Sequence, residues 1–156
     1  MYKRRNMRRD RSQALVIREN KILLVKHIMN GRTFYCMPGG GIDEGETPEE
    51  AALRELAEES NVSGRIVRKL SVQYKPDNRG EVHTFLVELN EDSPEPTPGV
   101  DPENDKQTIV GVAWKGLNEI SEIDRMYLWS SGLNRDEVFH KEALGWSDEI
   151  SYPNYR

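Results

Sequence analysis

Glu55, Glu58 and Glu59 stand at i, i+3 and i+4 in a stretch free of proline and glycine. On a helix of 3.6 residues per turn their carboxylates share one face. Like charges at that spacing repel by roughly a few tenths of a kcal/mol per pair, and carboxylates in a last helical turn also oppose the helix dipole. A helix shaped only for stability avoids this arrangement. A hard cation such as Mg²⁺ favours it, because it takes oxygen ligands and leaves its remaining positions to water and phosphate oxygens. The competing reading is a solvated acidic face in which Arg54 bridges Glu50 and Glu58, four residues away on either side.

The element that must carry these residues announces its own ends. Thr47, Pro48 and Glu50 form a start signal: a side-chain cap, a proline at the first helical position and the acid that completes a capping box. Asn61 tolerates the left-handed conformation that stops a helix, and Val62 can cover the last turn. The spacing therefore predicts a helix from Pro48 to about Glu59. Upstream, Phe34 and Tyr35 read as a strand running into a glycine turn at Met37-Pro38-Gly39-Gly40-Gly41. A strand, a glycine turn and a helix in succession bring backbone polar groups close to a ligand.

Residues 40–62 resemble the signature of the Nudix hydrolases, which runs Gly, five residues, Glu, seven residues, then Arg-Glu-aliphatic-x-Glu-Glu-x-Gly-aliphatic. Here the positions are Gly40, Glu46, Arg54, Glu55, Leu56, Glu58, Glu59, Asn61 and Val62. Asn61 replaces the family glycine, and it is the mildest replacement where a left-handed cap is needed. The resemblance implies an α/β/α sandwich with a mixed β-sheet and hydrolysis of a nucleoside diphosphate linked to another group. That group would be further phosphate, ribose, a sugar or a second nucleoside. It implies Mg²⁺, with Mn²⁺ as a second option, held by Glu55, Glu58, Glu59 and the Gly40 carbonyl. Glu46 would sit in the outer shell, Arg54 would orient the glutamates, and Glu55 is the ligand expected to take the proton of the attacking water. Catalytic roles thus fall to Arg54, Glu55 and Glu58. Some relatives draw the water-activating carboxylate from a later loop, where Glu95, Glu103 and Asp105 are the options.

At 156 residues, with 36% apolar and 31% charged side chains and a net charge of −5, the chain reads as one polar α/β domain. Residues 1–11 form a basic arm, expected to be flexible, which could meet RNA or substrate phosphates or be simply solvated. Residues 12–145 are the domain and 146–156 a tail. No apolar run approaches the roughly 20 residues of a membrane span, so no membrane partner is expected. The single cysteine, Cys36, fits a reducing compartment and the expected location is cytoplasmic. The expected partner is a nucleotide-type small molecule; nucleic acid is not expected, and a homo-oligomer stays open.

The runs Gln13–Ile17 and Lys21–His27 read as a hairpin turning at Arg18-Glu19-Asn20, apolar on both faces and so covered on both sides. Arg65–Tyr74 and Glu81–Leu89 read as an antiparallel pair around a turn at 76–80. His27 reads as a surface residue. His83 shares a face with Phe85 and Val87 and reads as packed or substrate-facing, not as a metal ligand. Asn90–Lys106 reads as a long acidic loop, Gln107–Trp114 as a strand, Leu117–Ile123 as a short helix, and a C-terminal helix begins near Asn134. A Nudix-fold module that binds nucleotide or RNA without cleaving it is the alternative. Such modules lose box carboxylates, and all are present here.

Overall fold

The computed structural model describes residues 9–75, 80–100 and 108–137. Its strands are β1 (Arg11–Leu15), β2 (Ile17–Arg18), β3 (Lys21–Met29), β4 (Arg32–Cys36), β5 (Gly39–Gly41), β6 (Gly64–Tyr74), β7 (Glu81–Leu89) and β8 (Ile109–Lys115). Helix α1 spans Pro48–Ser60 and α2 spans Glu122–Ser130, with single 3-10 turns at Leu117–Glu119 and Leu133–Arg135.

One mixed sheet has the order β5-β1-β7-β6, in which β1 and β7 run parallel. The second sheet is antiparallel, with β3 paired to β2 and β4 along one edge and to β8 along the other. The expected hairpin is present only in part. The turn at Glu19 and Asn20 has positive φ at both residues, 51° and 61°, the requirement of a tight two-residue turn, but it joins β2 to β3. The run 13–17 breaks at Val16, and β1 crosses to the other sheet. This corrects the single strand expected there, because an apolar run alone does not say which sheet it joins.

Helix α1 covers one side. Leu56 and Ala52 pack with Ala14, Val16, Leu23, Phe85 and Val87, with Leu53 partly buried against them. On the other side Leu15, Ile22, Leu24 and Leu70 pack under Leu117, Ile120, Leu128 and Leu133. These two layers, α1 on one face and α2 with the 3-10 turns on the other, are the expected α/β/α sandwich around a mixed sheet. The short helix expected at Leu117–Ile123 is a 3-10 turn followed by α2, whose N-cap Ser121 accepts from the Asp124 N–H. The helix expected beyond Asn134 and the turn at 76–79 lie outside the described residues. Among the described residues no helix is long and apolar enough to cross a membrane.

Candidate active site

Both ends of α1 are capped as its sequence predicts. Thr47 Oγ1 accepts from the Glu50 N–H at 3.1 Å, the Glu50 carboxylate accepts from the Thr47 N–H at 3.0 Å, and Asn61 sits at φ 56° and ψ 34°. Glu50 is therefore engaged in the cap. Of the two bridges in the acidic-face reading, only the one from Arg54 to Glu58 is made.

Arg54 instead ties the box together. Its Nε donates to Glu46 Oε1 at 2.8 Å, and its Nη2 donates to Glu46 Oε2 at 3.1 Å and to the Gly41 carbonyl at 2.8 Å. The remaining nitrogen, Nη1, donates to Glu55 Oε1 at 2.8 Å and to Glu58 Oε2 at 3.2 Å. A planar fork of fixed donors suits this bidentate pairing, which a lysine could not reproduce. The hydrogen bonds from Arg54 hold the Glu46 carboxyl below its usual range, and Glu46 in turn raises the Arg54 pKa.

The glycine segment is not the expected turn but the strand β5, at the edge of the mixed sheet, with Gly40 opposite Ser12. Its glycines are needed for close approach: a Cβ on Gly40 would overlap the Glu55 carboxylate. The Gly39 N–H donates to Glu59 Oε1 at 2.8 Å. Gly40, Glu46, Arg54, Glu55, Glu58 and Glu59 thus form one contiguous group, with Glu55 and Glu59 almost fully buried.

His27 belongs near this group, which the sequence reading missed. Its Nε2 lies 3.9 Å from Glu59 Oε2, its Nδ1 lies 2.9 Å from Thr108 Oγ1, and its ring stacks on Phe34 at 5.0 Å between centroids. The signal was faint, since only the pairing of β3 with β4 sets His27 opposite Phe34. Cys36, one strand pair away, has its thiol pushed up to about 12 by burial, with the Glu59 charge adding to the shift.

The acidic loop does two separate things. Its Glu95 carboxylate accepts two hydrogen bonds from Arg18, at 2.9 and 2.8 Å, and Arg18 lies over the Trp114 ring. Arg18 pairs with Lys21 at the start of β3, whereas His27 lies roughly 20 Å further along that strand at 3.3–3.4 Å per residue. Glu95 is therefore not brought to the box carboxylates; Glu103 and Asp105 lie outside the described residues. Further along, the loop straps the end of α1. Thr97 N–H donates to Ser60 O at 3.0 Å, Gly99 N–H donates to Glu59 O at 2.9 Å, and Asn61 Nδ2 contacts Thr97 Oγ1 at 3.0 Å and the Thr97 and Pro98 carbonyls at 3.2 and 3.3 Å.

One hollow borders β5 and another lies between β4 and α2. A cleft of about 180 Å³ is lined by Gly39–Gly41, Glu55, Arg9, Arg11 and Lys75. A larger pocket of about 460 Å³ opens beside Gln13, Phe34, Tyr35, Met37, Asp124 and Tyr127, where the Asp124 carboxylate accepts from the Tyr35 N–H at 3.1 Å. A second group of ligand type lies on β7. His83 is buried on the Phe85 face as expected, but with Asp10 and Glu81 it also forms a group that could hold a divalent cation, one ligand atom from each lying within 4.8 Å of the others. Nothing in the local sequence pairs Asp10 with these residues. The register of β1 against β7, with Arg11 opposite Val82, does so.

Residues 7–135 match the family model described as the NUDIX domain, and the chain belongs to the Nudix hydrolase family. The chain is 34% identical over 75 residues to an ADP-ribose pyrophosphatase of Methanocaldococcus jannaschii, covering 47% of this chain and 44% of that protein. It is 38% identical over 74 residues to a putative 8-oxo-dGTP diphosphatase of Bacillus subtilis, covering 47% and 48%. The matched stretch thus spans under half the length of either relative. Among solved structures, a NUDIX hydrolase from Nitrosomonas europaea superposes with a TM-score of 0.69 at 24% identity, covering 90% of this chain and 75% of that one. An ADP-ribose pyrophosphatase from Streptococcus suis gives 0.61 at 18% identity, covering 94% and 98%. These likenesses carry the fold.

Proposed function

We propose that this chain is a Mg²⁺-dependent pyrophosphohydrolase that cleaves the pyrophosphate linkage of a nucleoside diphosphate joined to another group. The supporting observation is the set of box carboxylates held by Arg54 against a glycine strand. Glu55 and Glu58 share one guanidinium nitrogen, and Glu59 is fixed by the Gly39 N–H. This all-oxygen donor set fits a hard cation such as Mg²⁺ or Mn²⁺, with the Gly40 carbonyl as a further ligand and Glu46 behind Arg54. Such a cation lowers the pKa of a neighbouring water and neutralises charge gathering on the pyrophosphate.

The rest falls to the protein's own groups. Arg54 orients the glutamates, Glu55 accepts the proton of the attacking water, and Glu58 and Glu59 hold the cation with it. The pocket of Phe34, Tyr35 and Tyr127 suits a base or nucleoside, with the Asp124 carboxylate as an acceptor for its N–H groups. Residues 12–145 are read as the catalytic unit and residues 1–11 as an arm, of which Arg9 and Arg11 line the cleft beside Glu55. The location is read as cytoplasmic.

A panel of nucleoside triphosphates, ADP-ribose, nucleotide sugars and dinucleoside polyphosphates, assayed with Mg²⁺ for release of nucleoside monophosphate or phosphate, tests this reading. Turnover of at least one compound that stops with chelator is expected. Tight binding without turnover of any of them would make the chain a binding module.

A further inference from the structure

Glu81 and His83 stand two apart on β7, so the strand's period of two puts both side chains on one face. The parallel register with β1, in which Arg11 is opposite Val82, brings Asp10 alongside Glu81. Gly80, just before β7, permits that approach: its φ is 110°, and a Cβ there would crowd Asp10 Oδ1 at 2.8 Å. Asp10, Glu81 and His83 thus each offer one ligand atom, all within 4.8 Å of one another. Ser12 on β1 pairs with Gly40 on one side and with His83 on the other, so the group stands two strand spacings, roughly 10 Å, from Gly40. It shares no residue with the box.

The burial of His83 sets this group apart from an acidic surface. The residue is 8% exposed, and its Nε2 faces Glu81 Oε2 at 3.1 Å. Its Nδ1 has no hydrogen-bond partner among the described residues. An imidazole held out of water with one nitrogen toward carboxylates and the other idle is costly unless something joins it. Ligand atoms around one Zn²⁺ lie roughly 3.3 Å from one another, since each sits about 2.0–2.2 Å from the ion. His83 and Glu81 already meet that spacing, and the exposed Asp10 carboxylate is free to close the rest. Asp10 Oδ1 also accepts from the Glu81 N–H at 2.9 Å, the kind of bond that orients a ligating carboxylate. The missing acceptor at Nδ1 acts the other way. Outer partners of metal ligands are worth about 10- to 100-fold in affinity, so an ion here is held weakly and exchanges.

The geometry points to a second cation site at Asp10, Glu81 and His83, separate from the box, which takes one exchangeable Zn²⁺ with water in its open position. An imidazole with two carboxylates suits Zn²⁺ over Mg²⁺, whereas the all-oxygen box suits Mg²⁺. The ion is a staple and not the hydrolytic one. It ties Asp10 to β7 across 71 positions of sequence, and the Asp10 carbonyl accepts from the Ile42 N–H at 2.9 Å just past β5. Zn²⁺ therefore fixes the corner where β5 meets β1, whether or not the hydrolase reading holds.

Calorimetry of the full chain with Zn²⁺, in millimolar Mg²⁺ to fill the box, tests the site without any substrate. Wild type should bind one Zn²⁺ that Mg²⁺ does not displace. His83→Gln should weaken that binding at least about 10-fold, because it removes the nitrogen ligand. Glu81→Gln, at a more exposed ligand, gives the same reading if His83→Gln does not fold. The double variant Glu55→Gln with Glu58→Gln, and separately His27→Gln, should keep the Zn²⁺ affinity within about 3-fold, as distant sites act independently. Thermal melts add a second readout: Zn²⁺ should raise Tm in wild type and in the box variant, and should fail to do so in His83→Gln or Glu81→Gln. Absence of Zn²⁺ binding to wild type, or displacement by Mg²⁺, overturns the inference. So does an affinity that survives both strand variants, or one that is lost with the box carboxylates or with His27.

Discussion

The box carboxylates and the group of Asp10, Glu81 and His83 both gather ligand atoms, but they are built in different ways. In the box one helix supplies three carboxylates, and a single guanidinium on the same helix fixes two of them along with Glu46 and the Gly41 carbonyl. The strand group is assembled by sheet register. Its Asp10 Oδ1 is already engaged by the Glu81 N–H at 2.9 Å, and Glu81 Oε2 lies 3.1 Å from His83 Nε2. The other imidazole nitrogen, Nδ1, is buried with no hydrogen-bond partner. A metal-bound imidazole ordinarily donates its second N–H to an acceptor, which orients the ring. Convergence of ligand atoms is common to both groups; the strand group leaves its imidazole Nδ1 without an acceptor, whereas the box carboxylates are held by Arg54 and the Gly39 N–H.

The largest effect expected from this contrast is on turnover. Glu55→Gln or Glu58→Gln should lower kcat at least about 100-fold, since each removes a cation ligand or the base. Glu81→Gln should stay within about 3-fold of wild type. Steady-state release of nucleoside monophosphate reads both, and a reversed order would move the catalytic ion to the strand group.

Next comes the clamp. Arg54→Lys keeps the charge but loses the fork, so kcat should fall about 10- to 100-fold, the range for outer-shell partners of metal ligands. The Mg²⁺ concentration for half-maximal activity should rise with it. A Mg²⁺ titration showing lost turnover at an unchanged requirement would mean that Arg54 acts on substrate and not on the carboxylates.

Acid should expose the same clamp. Arg54 depresses the Glu46 pKa in the folded protein, so the folded state binds fewer protons than the unfolded state as pH falls past about 4.5, the ordinary carboxyl value. The stabilisation is present above that value and is lost as pH falls through the lower folded value. Melting temperature measured across pH 3–6 should therefore drop less steeply in Glu46→Gln than in wild type. Parallel acid limbs would show that the pair contributes nothing to folding.

How much of this was legible depends on which contacts are local. Helix α1, its capping box, its stop at Asn61 and the shared face of Glu55, Glu58 and Glu59 follow from spacing within one element. The Arg54 fork was foreseen only through the family resemblance, because it reaches a strand carbonyl and Glu46 eight positions upstream. The strand group, the cationic cleft and the place of His27 come from register between distant segments, which apolar patterning does not encode. Glu95 shows the same limit: the loop was legible as acidic, but not that Arg18 would hold its carboxylate at the far end of β3.

The smallest expected effect concerns Asn61, which stands where the family signature has glycine. Its left-handed φ of 56° would suit glycine equally well, so glycine removes only the side chain and its contacts with Thr97 and Pro98. Those contacts are exposed, and the Thr97 and Gly99 N–H groups still reach the Ser60 and Glu59 carbonyls in the variant. Asn61→Gly should therefore cost only about 1 kcal/mol, near the net worth of one hydrogen bond, or roughly 2–4 °C in Tm. Asn61→Ala should cost more, because it loses the same contacts and adds about 1 kcal/mol of left-handed strain. The strap fixes the last turn, where Glu58 and Glu59 sit, so both variants should also raise the Mg²⁺ requirement slightly. Thermal melts of the two variants with chelator, alongside Mg²⁺ titrations, measure this. Were glycine as stable as asparagine, the side chain would contribute nothing to the strap, and the box would owe its order to Arg54 and the backbone alone.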